Sequence, residues 1–229
     1  MKIIKNEKLI KRNGTIGNWT SLAAVAVLGV SMYISLKRTD LFIYSLGGLL
    51  LGFTLTQVGM YMGTRYGRSP RPDEKLDAGL KGLQNEFVMY HYTTPASHLL
   101  VGPAGIWVIM PYHQGGQVTF QKNRWRLSGG GFVQRYMRIF GQEGLGRPDI
   151  EIDSETRSLK KYLSKYMDVS EIPEIKTLVV FTNDNVAIDV EDAPVPAMKL
   201  KQVKEFIRQR AKEKKLSAET INQIKTAFE

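Results

Sequence analysis

All three histidines of this chain, His91, His98 and His113, fall within one short stretch. Three imidazoles can hold a zinc ion with a fourth position open for chemistry. Here His91 and His98 flank a turn-containing segment and His113 follows Pro111, so no characteristic ligand spacing is present. Surface or hydrogen-bonded core histidines are the commoner outcome of such a pattern. No Asp or Glu occurs between Glu86 and Glu143, a gap of 56 residues. Hard cations such as Mg²⁺ take oxygen ligands, carboxylates above all, so the sequence leads us to expect no metal and no cofactor. The same stretch interleaves Lys122, Arg124, Arg126, Arg135 and Arg138 with Trp125, Phe132, Tyr136 and Phe140. Cations among aromatics suit phosphate backbones and stacked bases. They also suit anionic lipid or a protein partner. On a strand, Arg124 and Arg126 share one face while Trp125 points to the other, giving a cationic side and a packing side. Two glycine strings, Gly129-Gly130-Gly131 and Gly141-x-x-Gly144-x-Gly146, lack the preceding strand and the following Lys-Ser/Thr of a phosphate loop. They read as a mobile loop.

Whatever chemistry that stretch performs is positioned by what precedes it. Trp19–Leu36 and Leu41–Gly63 are two apolar runs without a charge, separated by Lys37, Arg38, Thr39 and Asp40. A bilayer core needs roughly 20 apolar residues in a helix. Both runs qualify, and a four-residue linker forces a transmembrane hairpin. Gly48-x-x-x-Gly52 and Gly59-x-x-x-Gly63 have the small-residue spacing that lets membrane helices approach closely. A helical hairpin buried in a soluble core is the competing reading, but soluble helices carry a polar face. A cleaved signal peptide is disfavoured because a second span follows at once.

The net charge of +10 invites a nucleic-acid reading, yet its distribution is uneven. Residues 1–71 hold ten basic and two acidic residues, whereas residues 72–229 hold 22 and 20. Basic residues flanking spans stay on the cytoplasmic side and meet anionic headgroups there. The expectation is a multi-pass protein of the cell (inner) membrane with both termini and the main domain cytoplasmic. The absence of cysteine fits a reducing compartment.

Four segments follow: residues 1–18 as a basic tail with a short interfacial helix near Lys5 and Lys8, the hairpin over 19–63, a linker over 64–72, and a domain over 73–229. Within the domain, Asp73–Glu86 predicts a helix with Leu76, Leu80 and Leu83 on one face. Phe87–Tyr92 and His98–Val101 predict strands. Gly102-Pro103-Ala104-Gly105 is a tight turn leading into a strand over Ile106–Met110. Gln117–Gln121 and Arg124–Leu127 predict a hairpin around Lys122-Asn123. Ile152–Tyr166 reads as an amphipathic helix carrying Leu159, Leu163 and Tyr166. Lys176–Thr182 reads as a central strand, and Lys199–Lys212 with Ser217–Phe228 as a helix pair, Ser217 capping the second. This order defines an α/β sandwich with a mixed sheet.

The string HLLVGPAGIWVIM at His98–Met110, the QGGQV that follows and the pair Trp125-Arg126 resemble the nuclease-related domain, NERD. So do the helix after Arg147-Pro148 and the strand TLVVFTN at Thr177–Asn183. The resemblance covers roughly residues 73–228 and implies a restriction-endonuclease-like α/β fold. It also implies a metal site: an acid on an early helix, an Asp just before the His of the first hairpin strand, and Glu-x-Lys at the end of the second. Such carboxylates hold Mg²⁺, which polarises a phosphodiester and activates water, while the lysine stabilises developing charge.

Carried onto this chain, the Asp position falls on Ser97, the Glu on Met110 and the Lys on Tyr112. Only the early helix keeps acids, at Glu74 and Asp77. Thioether and phenol are poor ligands for a hard cation. The expectation is a membrane-anchored, catalytically inactive nuclease-like domain acting as a binding or accessory subunit of a larger membrane complex. Its partners would be the lipid bilayer and a protein. The alternative is a membrane-tethered nucleic-acid-binding protein or a residual nuclease.

Overall fold

The computed structural model describes residues 1–129, 144–213 and 215–228. The chain divides into two compact units. Of the described residues, one holds 1–6, 72–129, 144–213 and 215–228. The other holds Glu7–Arg71.

In the second unit, α1 (Glu7–Lys37) and α2 (Phe42–Met62) are joined by a single 3₁₀ turn at Thr39–Leu41. Both are long and apolar enough to cross a membrane, and only 11% of each apolar window is buried. Trp19, Leu22, Val25, Leu36, Ile43, Tyr44 and Leu50 all lie more than half exposed. A soluble core hairpin would bury such residues; here the outside is the apolar side. Small residues form the inside. A Cβ added to Gly52 would lie 2.6 Å from Leu28, and one on Gly17 would lie 2.8 Å from Met62. Added at Gly48 or Gly59, it would collide with Ser31 or Ser21. The hydroxyls of Ser21 and Ser31 are satisfied by the carbonyls of Gly17 and Val27 one turn back. A Cβ at Gly63 would meet nothing within 4 Å, although the Gly63 amide nitrogen would lie 3.0 Å from a Cβ added to Gly17; a π-type turn follows at Gly63–Gly67.

The first unit is built on a six-stranded mixed sheet, ordered β1-β2-β3-β4-β7-β9. Its strands are β1 (Lys2–Lys5), β2 (Val88–His91), β3 (His98–Gly102), β4 (Gly105–Tyr112), β7 (Ile175–Phe181) and β9 (Ala197–Lys199). Strands β2, β3 and β4 pair antiparallel; β1 on β2, β7 on β4 and β9 on β7 are parallel. A three-stranded sheet is ordered β6-β5-β8, with β5 (Gly116–Gln121), β6 (Arg124–Ser128) and β8 (Val186–Asp189). Three-residue β9 and four-residue β8 carry too little alternation to be read from sequence.

The period-two alternation of the strands sorts side chains onto two cores. Met89, Leu100, Trp107, Ile109, Leu178 and Val180 pack under α3 (Pro72–Leu80) and α5 (Leu200–Glu213). Tyr90, Leu99, Val108, Met110, Tyr112 and Phe181 pack under α4 (Pro148–Leu163), α6 (Ala218–Thr226) and the smaller sheet. The central strands are apolar on both faces because both are covered, as in α/β folds generally.

Helix α3 ends earlier than its leucine pattern predicts. Gly82 adopts φ +89°, the left-handed stop that glycine permits. Leu83 follows it and is still buried, at 4% exposure. Cations finish the cap: Lys204 Nζ and Arg208 donate to the carbonyls of Lys81 and Gly82. Helix α4 starts at Pro148, a favoured first helical residue, and stops at Leu163, so Tyr166 lies beyond it and is exposed. Ser217 caps α6 by accepting from the Thr220 amide at 3.1 Å.

The largest departure concerns residues 1–18. Residues 2–5 form a strand, not part of a tail, and Glu7 already opens α1. Sequence periodicity cannot show this, because the partner of β1 lies more than eighty residues away.

Candidate functional site

Two polar clusters lie on opposite faces of the large sheet. The first gathers Lys5 from β1, Asp73 and Asp77 from α3, His91 from β2 and His98 from β3. Asp73 and Asp77 are four residues apart and therefore stack on one side of α3. Lys5 Nζ lies 3.0 Å from Asp73 Oδ2 and 2.5 Å from Asp77 Oδ2. Asp77 Oδ1 is 3.0 Å from His91 Nε2, and His91 Nδ1 is 2.7 Å from His98 Nδ1. His91 and His98 are register partners across β2 and β3, which holds their rings together. The neutral tautomers that satisfy both contacts have His91 donating from Nε2 to Asp77 and His98 donating from Nδ1 to His91.

The side chains of Asp73 and His91 are fully buried, and those of Lys5 and Asp77 are 18% and 17% exposed. Burial alone pulls a lysine down and pushes a carboxyl up. For Lys5 the bonds to Asp77 and Asp73 outweigh burial, and its ammonium is held above the ordinary 10.5. For Asp77, burial is likewise outweighed by the hydrogen bonds from His91 and Lys5, so its carboxyl is held below the ordinary 3.8. Both ions persist at neutral pH.

The second cluster lies under α4. Ser97 donates its hydroxyl to Glu155 Oε1 at 2.7 Å and its amide to Oε2 at 3.2 Å. Tyr112 donates its phenol to Glu151 Oε2 at 2.8 Å. Met110 lies between, 5% exposed in the core. Extending the β3–β4 register two pairs past Leu99 and Val108 brings Ser97 opposite Met110. The three positions to which the resemblance gives a metal site are therefore neighbours. They are a hydroxyl, a thioether and a phenol, two of them tied to glutamates of α4. The acid of the early helix is not with them: Asp77 is turned to the other face, toward Lys5 and His91. None of the three positions itself supplies a carboxylate.

Nor do the histidines assemble as a set. His91 and His98 are a buried pair, while His113 is exposed beyond β4. Among the described residues, no group of three or more His, Cys, Asp or Glu side chains is arranged to hold a metal ion.

The basic–aromatic segment forms the hairpin β5–β6. Lys122 and Asn123 take φ of +52° and +57° at its tip, the two positive values of a tight hairpin turn. Arg124 and Arg126 are exposed on one face. Trp125 points to the other, 7% exposed, with its ring 5.5 Å from that of Phe120. Arg135 and Arg138, Phe132, Tyr136 and Phe140, and the glycines Gly130, Gly131 and Gly141 lie outside the described residues.

Sequence reading missed Lys5, Asp73, Glu151 and Glu155 as members of these clusters. The i, i+4 spacing of Asp73 and Asp77, and again of Glu151 and Glu155, was the available signal. Their partners come from distant strands and carry no local mark.

No protein-family model, no curated protein and no solved structure matches this chain.

Proposed function

We propose that this chain is a membrane-anchored protein whose α/β domain has a restriction-endonuclease-like fold emptied of its metal chemistry. It binds a protein partner as an accessory subunit of a membrane assembly. The observation that carries this reading is the second cluster. Where two carboxylates and a lysine are required for phosphodiester hydrolysis, Ser97 and Tyr112 are hydrogen-bonded to α4 and Met110 is packed.

The membrane reading draws support from the exposed apolar surfaces of α1 and α2. It also draws support from chain connectivity: the chain leaves the α/β unit at Glu7 and returns to it at Pro72. Two crossings satisfy that return and one does not. Basic flanks at Lys8, Lys11, Arg12, Arg65 and Arg68 favour a cytoplasmic domain. Exposed Lys122, Arg124 and Arg126 offer the partner a cationic face.

The test uses the purified full chain in detergent. It should leave DNA and RNA intact with Mg²⁺ or Mn²⁺; cleavage that Asp77→Ala abolishes would contradict the reading. In native membranes, Arg124→Glu with Arg126→Glu should release a co-purifying protein. Nucleic-acid binding is the other outcome. It would show an affinity falling steeply with salt, with a slope flattened by about 1.5 to 2 in the double variant.

A further inference from the structure

The two ends of the helical hairpin hold their cations differently. At the loop end Arg38 is answered: its Nε donates to Asp40 Oδ1 at 3.1 Å and its Nη2 to Asp40 Oδ2 at 3.0 Å. At the other end Lys8, Lys11, Arg12 and Arg68 are all exposed. Among the described residues, no carboxylate pairs with any of these four, the neighbouring Glu7 included. Arg12 donates from Nε to the neutral side-chain oxygen of Asn13, at 3.4 Å.

Helix packing brings these cations to one level. A Cβ added to Gly14 would lie 3.1 Å from Tyr66 O and 3.5 Å from the Gly67 Cα. The end of the π-type turn therefore runs against the basic turns of α1, and Arg68 follows it directly. On α1, Lys8, Arg12, Thr15, Trp19 and Leu22 succeed one another at steps of four and three, so they share one side of the helix. That side is open along its length, with Trp19 68% and Leu22 61% exposed. Gly14, Gly17, Ala24 and Ser31 make the buried side. The open side thus passes from cations through a hydroxyl to an indole and then to leucine. Arg12 precedes Trp19 by about 10 Å of helix axis. An indole settles at headgroup level, which leaves the cations within about a Debye length of the lipid phosphates.

We propose that this end of the hairpin selects anionic phospholipid. Lys8, Lys11, Arg12 and Arg68 take the headgroup phosphate, and Trp19 with Leu22 take the acyl chain. The proposal deepens the two-span membrane reading and rests on it. A nucleic acid or an acidic peptide would answer the cations but leave the apolar half of the stripe without a partner. A choline headgroup brings a cation of its own and gains little from four more. A lipid with net negative charge matches both halves.

The experiment reconstitutes the full chain in phosphatidylcholine vesicles that hold a fixed fraction of phosphatidylglycerol or of phosphatidylcholine with brominated acyl chains. Quenching of Trp19 fluorescence is read, and a Trp19→Phe chain supplies the background from Trp107 and Trp125. Brominated phosphatidylglycerol should quench the wild type more strongly than brominated phosphatidylcholine at equal fraction. In Lys8→Gln/Arg12→Gln/Arg68→Gln that preference should fall by at least about fivefold, the worth of one charge near the surface. In Lys8→Arg/Arg12→Lys/Arg68→Lys, which keeps every charge, it should persist. A preference unchanged in the glutamine variant overturns the proposal. So does a preference abolished by inorganic phosphate and not by chloride at the same ionic strength, which would make free phosphate the ligand. Equal quenching of the wild type by both lipids overturns the proposal while leaving the hairpin in the bilayer. Quenching by neither shows instead that the membrane reading itself has failed.

Discussion

The helical hairpin and the α/β domain solve the burial problem in opposite directions. In the domain, Leu76, Leu80, Ile109 and Val180 are wholly buried, and most charges outside the Lys5–Asp73–Asp77 cluster lie at the surface. In the hairpin, Leu22, Val25 and Ile43 face outward while Gly52, Gly59, Ser31 and Ser45 are buried between the helices. The same apolar residue types occupy opposite sides in the two regions, which is what the proposed membrane hairpin requires. In lipid the apolar drive between helices vanishes and close packing of small residues takes over.

The contrast is broken most severely by a core truncation. Leu76→Ala should cost the domain about 3 to 4 kcal/mol, read as a lower denaturation midpoint. The matching Leu22→Ala, at 61% exposure, should leave that midpoint where it was. A comparable loss from both would mean that Leu22 is buried in protein. Charge insertion sharpens the contrast next. Val25 and Val169 are 69% and 59% exposed. Val25→Lys should impair membrane insertion by about 3 kcal/mol. Val169→Lys should stay within about 0.5 kcal/mol of wild-type stability. Equal tolerance of the two lysines would put Val25 in water.

The smallest effect concerns pH and isolates the Lys5–Asp77 pair. Asp77 has a depressed folded-state value, so its contribution is present above the ordinary carboxyl range and is lost as pH falls through that lowered value. Lys5 has a raised one, so its contribution is present below 10.5 and is lost only as pH rises through the raised value. Between those limits the pair contributes a constant amount. Unfolding of Lys5→Met across pH should show a shallower alkaline loss than wild type; identical slopes would remove Lys5 from the linkage.

How much of this was legible in the sequence follows from the range of each interaction. Two uncharged runs and the turn chemistry of Gly102–Gly105 and Lys122-Asn123 are local, and they located the two long apolar helices and both β-hairpins. Alternation on β6 placed Arg124 and Arg126 opposite Trp125. The mixed sheet followed from element order. What escaped was non-local: β1 pairs with a strand beyond the hairpin, and β9 is held by β7. The site divides the same way. Ser97, Met110 and Tyr112 stand close together, as the resemblance to the nuclease-related domain implied. But strand pairing and helix placement, unseen in any local window, turned Asp77 away from them to His91 and Lys5. They also supplied Glu151 and Glu155 as the groups that Ser97 and Tyr112 bond.

One labelling measurement bears most directly on the proposal that the domain is held at the membrane by two crossings. The chain has no cysteine, so Ile3→Cys and Ser170→Cys can be introduced singly and exposed to an impermeant thiol reagent on intact cells. A two-span hairpin with a cytoplasmic domain predicts that both are shielded and that both react once the membrane is permeabilised. Reaction of one position and not the other in intact cells would contradict it.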